Sequence, residues 1–169
     1  GLMPANIQTM IAQNPKVTTW SGRTVPYGYL DWWPLSFGFN ALEPPFDDPE
    51  VRWAVNHAIN REQLVEVGWM GAGKPSVLPF PDFPSLRGYL DQVQDVIDKY
   101  PVDVHDPQLT AEILERKGWL KDDEGVWTKN GERFKIVIEI SPGFQDITPV
   151  LVRQLRDAGF DASSRMTSD

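Results

Sequence analysis

The spacing of apolar residues predicts one helix more clearly than any other element of the chain. Asp48 can cap its first turn, Pro49 suits its first position, and Glu50 lies near the positive end of the helix dipole. Apolar residues then recur at i, i+3, i+4, i+7 and i+8, which places one stripe along one helix face. The stripe consists of Val51, Ala54, Val55, Ala58 and Ile59. A second, shorter helix is predicted to follow Asn60.

The same period predicts three more helices, over residues 4–13, 107–118 and 147–159. Asp106 can cap the second of them and Gly118 can end it. The third helix is predicted to bury Ile147, Val150, Leu151 and Leu155.

Apolar and polar residues alternate from Phe134 to Ile140, the period of a half-buried strand. The helix over 147–159 follows, and residues 160–166 have strand composition. Strand, helix and strand in this order predict a βαβ unit. Strand composition also occurs at Lys16–Trp20 and Leu35–Phe39. These elements together predict an α/β protein.

Four aromatic rings occupy the seven positions of YGYLDWW, residues 27–33, and Trp20 precedes them. In a region that contains Gly and Pro, these rings cannot all point into one core, and exposed clusters of rings usually mark a binding surface. Rings stack on flat ligands or on the C–H faces of sugars, while tyrosine hydroxyls bind sugar hydroxyls. The predicted ligand contacts are Trp20, Tyr27, Tyr29, Trp32 and Trp33.

The loop SPGFQD, residues 141–146, is a second candidate, with Phe144 and Gln145 as its predicted ligand contacts. It joins the end of a predicted strand to the start of a helix, where α/β clefts bind ligands. A plain connection between the two elements is the alternative.

Composition and motifs exclude several classes of function. A net charge of −8 and a pI near 4.7 disfavour nucleic acid and anionic membranes, which require basic surfaces. The chain has no cysteine, and no spacing of histidines and carboxylates indicates a metal site, so neither a metal nor another cofactor is predicted. GWMGAGKP, residues 68–75, has Pro75 where a phosphate-binding loop needs Ser or Thr, and a predicted helix precedes it. No nucleophile motif is present either, so the chain is not expected to be an enzyme.

The segment FNALEPPFDDPEVRWAVNHAINREQLV, residues 39–65, resembles the signature of the family 5 extracellular solute-binding proteins of ABC importers. The matching parts are the Pro44-Pro45-Phe46 turn and the pattern V-R-x-A-x-x-x-A-I-x-R that ends at Arg61. The family usually has Asp before that arginine, where this chain has Asn60. Residues 106–140 and 153–163 resemble the helix, the hairpin and the closing segment that follow in the family.

The resemblance implies one lobe of a type II periplasmic-binding-protein-like fold, with a mixed sheet flanked by helices. Family members are longer and close two lobes on a solute. Residues 1–169 are therefore expected to be a single domain, the C-terminal ligand-binding lobe of a larger protein, with ends that are cut points. The implied partners are the first lobe of the same chain and ABC permease subunits, and the implied location is periplasmic or extracellular, at the transporter.

The resemblance also implies binding of a small-molecule solute without chemistry on it. TWSG and YGYLDWWP resemble the branch of the family that binds plant-derived oligosaccharides such as cello-oligomers. An oligopeptide or dipeptide is the alternative solute within the same family. A stand-alone carbohydrate-binding or interaction module is a further alternative, although such a module would be mostly β.

Overall fold

The computed structural model describes residues 3–28, 34–80 and 83–167. In chain order the helices are α1 (Pro4–Gln13), α2 (Pro49–His57), α3 (Arg61–Gln63), α4 (Arg87–Leu90), α5 (Gln94–Lys99), α6 (Pro107–Arg116) and α7 (Thr148–Asp157). The strands are β1 (Leu120–Lys121), β2 (Trp127–Lys129), β3 (Glu132–Arg133), β4 (Lys135–Ile140) and β5 (Asp161–Met166). A π-helical turn, Leu64–Gly68, continues α3, and 3-10 turns occupy Pro84–Leu86, Asp91–Val93 and Pro142–Phe144. None of the helices in these ranges is both long and apolar enough to cross a membrane.

The chain divides into two compact units. The first contains the described residues of 1–36 and 61–101, and the second contains those of 37–60 and 102–169. Within the described ranges, every buried apolar side chain belongs to the second unit. The first unit therefore has little core of its own, and the second contains the hydrophobic centre.

The predicted start of α2 is confirmed. The Asp48 side chain accepts a hydrogen bond from the Glu50 backbone N–H at 2.9 Å, with Pro49 in the first turn. All five members of the predicted stripe are buried, because they share the face of α2 that meets α6 and its neighbours. Asp106 caps α6 in the same way, accepting from the Leu109 N–H at 2.9 Å.

Polar side chains also fix α2 within the second unit. The buried hydroxyl of Thr110 donates to the Ala54 carbonyl at 2.9 Å. His57 is buried, and its Nδ1 donates to the Val104 carbonyl at 3.0 Å, so it has a structural role. Such bonds satisfy polar groups that would otherwise be costly to bury.

A surface ion network joins the start of α2 to the end of α6. Lys117 Nζ lies 2.7 Å from Asp48 Oδ2 and also contacts Glu50, while Arg116 Nη2 lies 2.9 Å from Glu50 Oε1. The hydrogen bond from Lys117 lowers the pKa of Asp48 below its ordinary value, with a smaller contribution from the Glu50 backbone N–H. Hydrogen bonds from Lys117 and Arg116 lower the pKa of Glu50.

We expect this network to make the unfolding free energy depend on pH in the acid range. Because both carboxyl pKa values are lowered in the folded chain, the stabilisation is present above their ordinary values, 3.8 and 4.5, and is lost as the pH falls through the folded values. Lys117→Met should flatten this slope, so that the curves of the two proteins converge in acid. Urea unfolding from about pH 7 to about pH 2.5 measures the effect, and 1 M salt should weaken it because the pairs are exposed. Identical slopes for the two proteins would contradict the assignment.

The predicted βαβ unit is confirmed. β4 and β5 pair in parallel, with Ile136 opposite Ala162 and Ile138 opposite Ser164, and α7 connects the strands. The buried face of α7 differs from the prediction, because Val150 and Leu151 are only half-buried whereas Val152 and Gln154 are buried. The Gln154 amide explains the difference, since it accepts from the Asn60 N–H at 3.1 Å and donates to the Asn60 carbonyl at 3.0 Å, which draws its side of the helix inward.

The two other predicted strands do not form. Lys16–Trp20 is irregular except for an isolated bridge between Thr19 and Gly22, and Leu35–Phe39 is irregular throughout. Val17 and the threonines have strand propensity, but no described segment pairs with them, and propensity alone does not make a strand. Residues 71–80 are irregular, whereas 84–90 form helical turns.

Candidate functional site

The first candidate begins with a tight turn in the first unit that presents Trp20 to solvent. Thr19 and Gly22 exchange backbone hydrogen bonds of 2.8 and 3.0 Å, so Trp20 and Ser21 occupy the two central positions. Gly22 has a φ of +94°, which a glycine adopts without strain. Trp20 at the tip is 89% exposed, whereas an indole normally buries most of its area.

Arg23 holds this turn against α1. Its guanidinium donates to the carbonyls of Ile11 at 2.7 Å and Pro15 at 2.8 Å, and it also bonds to Asn14 and Val17. The carbonyls near a helix C-terminus lack partners within the helix, so a cation that gathers them stabilises both the helix end and the chain that follows it. The base of the Trp20 turn is thereby fixed.

A second turn follows directly and positions Tyr27. The Tyr27 N–H donates to the Thr24 carbonyl at 3.1 Å, with Val25 and Pro26 at the centre and a cis bond between them. Tyr27 has a φ of +63°, which is uncommon for a residue with a side chain, and it is half-buried. Of the predicted ligand contacts in this segment, the structure thus shows Trp20 and Tyr27 on successive turns. Tyr29, Trp32 and Trp33 lie outside the described residues.

The second candidate, the loop after β4, lies in the second unit. Phe144 is 39% exposed and Gln145 is exposed, so neither side chain is needed for the core. The Phe144 N–H donates to the Ser141 carbonyl at 3.1 Å, and the Thr148 hydroxyl donates to the Phe144 carbonyl at 2.7 Å. The loop is therefore a hydrogen-bonded turn at the carboxyl ends of two parallel strands. The two candidates belong to different units.

A shallow groove in the second unit was not predicted. Its volume is about 210 Å³, smaller than most ligand sites, and it is lined by Phe39, Pro49, Arg52, Trp53, Asn56 and Val102. Residues 49, 52, 53 and 56 share the face of α2 opposite the buried stripe, so helical spacing alone could have indicated it. Trp53 stacks on His57 with 5.6 Å between ring centroids, and Asn56 donates to the Val102 carbonyl at 3.0 Å. These bonds give the lining a structural role.

Among the residues that the structure describes, the charged side chains show no arrangement for metal chemistry. Within residues 3–28, 34–80 and 83–167 no three His, Asp or Glu side chains converge as a cation site would need. The arrangement that the candidates do offer is an exposed indole on a rigid turn, which is suited to stacking on a ligand face.

Comparison with protein families gives a match along nearly the whole chain. Residues 2–169 match the family described as "Bacterial extracellular solute-binding proteins, family 5 Middle".

Two curated relatives that match parts of the chain are both named as binding proteins. The chain is 33% identical over 81 residues to the heme-binding protein A of Haemophilus influenzae, covering 48% of this chain and 13% of that protein. It is 28% identical over 115 residues to the dipeptide-binding protein of Escherichia coli, covering 68% and 18%. The chain thus spans about a fifth or less of the length of these relatives.

A solved structure shares the fold over almost the full chain. It is the mannohexaose-bound periplasmic oligopeptide-binding protein of an oligopeptide ABC transporter from Thermotoga maritima, with a TM-score of 0.75 and 24% identity. The match covers 99% of this chain and 31% of that one. The fold is therefore the mixed α/β fold of periplasmic binding proteins, as the sequence predicts.

Proposed function

The chain belongs to the family 5 bacterial extracellular solute-binding proteins, and we propose that it forms part of the solute site of an ABC importer's binding component, with an oligosaccharide as the solute. Proteins named among its relatives bind solutes, so the proposed role is binding without chemistry on the solute. The whole protein would deliver the solute to ABC permease subunits from a periplasmic or extracellular location. The 169 residues would act as its C-terminal ligand-binding lobe, together with another lobe of the same protein.

The exposure of Trp20 is the observation that carries this proposal. An 89% exposed indole, on a turn whose base is fixed by Arg23, loses little conformational freedom when a ligand stacks on it. The C–H face of a pyranose ring is apolar and rigid and matches an indole face. Tyr27, on the next turn, adds a phenol hydroxyl that can donate to or accept from a sugar hydroxyl. In sequence, Tyr29, Trp32 and Trp33 extend this composition.

An oligopeptide is the alternative solute, and a specific observation favours it. The dipeptide-binding protein of Escherichia coli aligns with 68% of this chain, more than the heme-binding relative does. The fold itself does not decide between the two, because a protein with this fold holds mannohexaose and is also described as oligopeptide-binding. A peptide, however, is recognised mainly through backbone hydrogen bonds, which do not require several rings in one segment.

Titration calorimetry with cellopentaose, mannohexaose and trialanine tests the proposal. In a two-lobe binder, closure on the solute supplies contacts from both lobes and removes water. One lobe supplies part of these contacts, so we expect the chain alone to bind the preferred sugar with a dissociation constant of order millimolar. Tighter binding of trialanine than of either sugar would favour the peptide alternative, and micromolar binding by this chain alone would argue against a partial site.

Trp20→Ala should weaken the sugar affinity by about 5- to 150-fold, because truncating a stacked ring at a binding site costs about 1–3 kcal/mol. Tyr89→Ala is the matched control, since Tyr89 is a 67% exposed ring in the same unit but outside the aromatic segment. The control should bind like the parent chain. If both variants bind the sugar as the parent does, Trp20 is an exposed residue without a role in binding.

A further inference from the structure

Trp69, in the first unit, has a buried polar atom that the proposed site has not used. Its indole Nε1–H is shielded from solvent and has no hydrogen-bond partner among the residues that the structure describes. Buried donors are nearly always paired, because an unpaired one loses its bond to water without replacement. The Trp69 Nε1–H is therefore a donor with which an incoming acceptor could pair.

The backbone around Trp69 is paired, which confines the deficit to the side chain. The Trp69 and Gly71 N–H groups both donate to the Val65 carbonyl, at 3.1 and 3.0 Å, and the Ala72 N–H donates to the Trp69 carbonyl at 2.8 Å. Met70 has a φ of +52°, an uncommon conformation for a residue with a Cβ, and Gly71 follows with +75°. Backbone of this kind often occurs at sites that bind a ligand.

The segment after Trp69 lies near the side chain of Val25, in the turn that positions Tyr27. A Cβ at Gly71 would be 3.9 Å from both methyl groups of Val25. A Cβ at Gly73 would be 3.4 Å from Trp69 Cε3, so the absence of a side chain lets the main chain rest on the indole ring. Gly71 thus places this segment beside Val25, and the two glycines of Trp69–Gly73 allow small backbone shifts at low cost.

We propose that the Trp69 Nε1–H donates to an oxygen of the bound solute, which makes Trp69 a further ligand-binding residue of the same site. The inference rests on the proposed function. An indole carries no charge to hold an anion, so the acceptor is an uncharged oxygen, which for the proposed sugar is a hydroxyl or ring oxygen. Because the N–H is shielded from solvent, this contact requires a local shift of the chain around the indole on binding. The donor then discriminates among solutes, since a solute without an oxygen at this position leaves it unpaired.

The indole ¹⁵N–¹H resonances of the chain test this step directly. The chain has seven tryptophans, and single Trp→Phe variants assign the signals of Trp20 and Trp69. Trp127 is an internal reference, because its Nε1–H already donates to the Ala158 carbonyl at 2.9 Å in the second unit. On addition of mannohexaose or cellopentaose, the Trp69 indole proton should shift downfield and exchange more slowly with water, while the Trp127 signal stays in place.

The other outcomes separate the two proposals. If the Trp20 signal moves and the Trp69 signal does not, the donor does not meet the solute, and this inference is wrong while the proposed function survives. If no indole signal responds to either sugar or to trialanine, the proposed function is wrong, and this inference, which depends on it, is wrong as well.

Trp69→Phe gives an independent measurement, since it removes the N–H and keeps a ring. We expect the affinity for the responding sugar to fall about tenfold, with the thermal midpoint unchanged or raised because an unpaired donor is lost. Trp53→Phe, in the second unit, is the control and should leave the affinity unchanged. An unchanged affinity of Trp69→Phe would overturn the inference, whatever its stability.

Discussion

Replacing Phe134 with alanine should lower the unfolding free energy by about 3–5 kcal/mol, the usual cost of removing a buried phenylalanine ring. Phe134 is 1% exposed and packs on Trp119 with 4.5 Å between ring centroids. It also meets Phe160 edge to face at 4.9 Å and Phe46 at 5.7 Å. The cavity left by the ring would be bordered by three aromatic side chains, which are too rigid to fill it.

The backbone of Phe134 adds to its importance. Its N–H donates to the Trp127 carbonyl at 2.7 Å, and its own carbonyl accepts from the Asp161 N–H at 3.0 Å. The residue therefore joins the hairpin of β1–β3 to the start of β5. Loss of the ring should loosen both connections and so disturb the loop that carries Phe144 at the far end of β4.

Urea unfolding followed by tryptophan fluorescence measures this effect, with Phe144→Ala as the matched control. Phe144 is 39% exposed, so the same chemical change there should cost less than about 1 kcal/mol. A loss below about 1.5 kcal/mol for Phe134→Ala would mean that the aromatic cluster rearranges to fill the space.

The elements that the sequence predicted correctly depend on signals close together in the chain. The start of α2 follows from Asp48, Pro49 and Glu50, three adjacent residues whose effects all favour a helix start. The βαβ unit follows from two periodic segments and a helix between them, and parallel pairing requires such a crossover. Local rules suffice where they agree with one another.

The predictions failed where a contact from outside the segment decides the conformation. Val17, Thr18 and Thr19 favour a strand by propensity, yet Arg23 binds the Val17 carbonyl and a tight turn ends the stretch. Gln154 is buried on α7 because its amide pairs with the backbone of Asn60, 94 residues earlier in the chain. A helical period assigns a glutamine to the exposed face and cannot include such a partner.

The candidate site was predictable in part. An exposed Trp20 followed from its position beside Ser21 and Gly22 in a segment too rich in rings to form a core. The proximity of the segment after Trp69 to Val25 could not be predicted from the sequence. The glycines of GWMGAG are explained by the end of the preceding helix, without reference to residues 24–27. An unpaired N–H is a property of three-dimensional packing and leaves no trace in composition.

Replacing Gly159 with alanine should destabilise the second unit by about 2–5 kcal/mol, through two separable effects. Gly159 has a φ of +99°, where a Cβ costs about 1–2 kcal/mol by backbone strain alone. The added Cβ would also lie 2.8 Å from the Gly125 carbonyl oxygen and 3.1 Å from Trp127 Nε1. Contacts this short force the backbone apart, at a further cost of about 1–3 kcal/mol.

The steric effect is specific to Gly159, because the hairpin of β1–β3 contacts the end of α7 at this residue. The Trp127 N–H donates to the Gly159 carbonyl at 2.8 Å, and the Trp127 indole donates to the Ala158 carbonyl at 2.9 Å. Gly131→Ala separates the two effects, since Gly131 has a φ of +81° and a Cβ added there would meet no described heavy atom within 4 Å. Chemical unfolding of both variants should show a loss of about 1–2 kcal/mol for Gly131→Ala and a larger loss for Gly159→Ala. Equal losses would show that backbone conformation alone requires glycine at 159 and that the hairpin moves aside without cost.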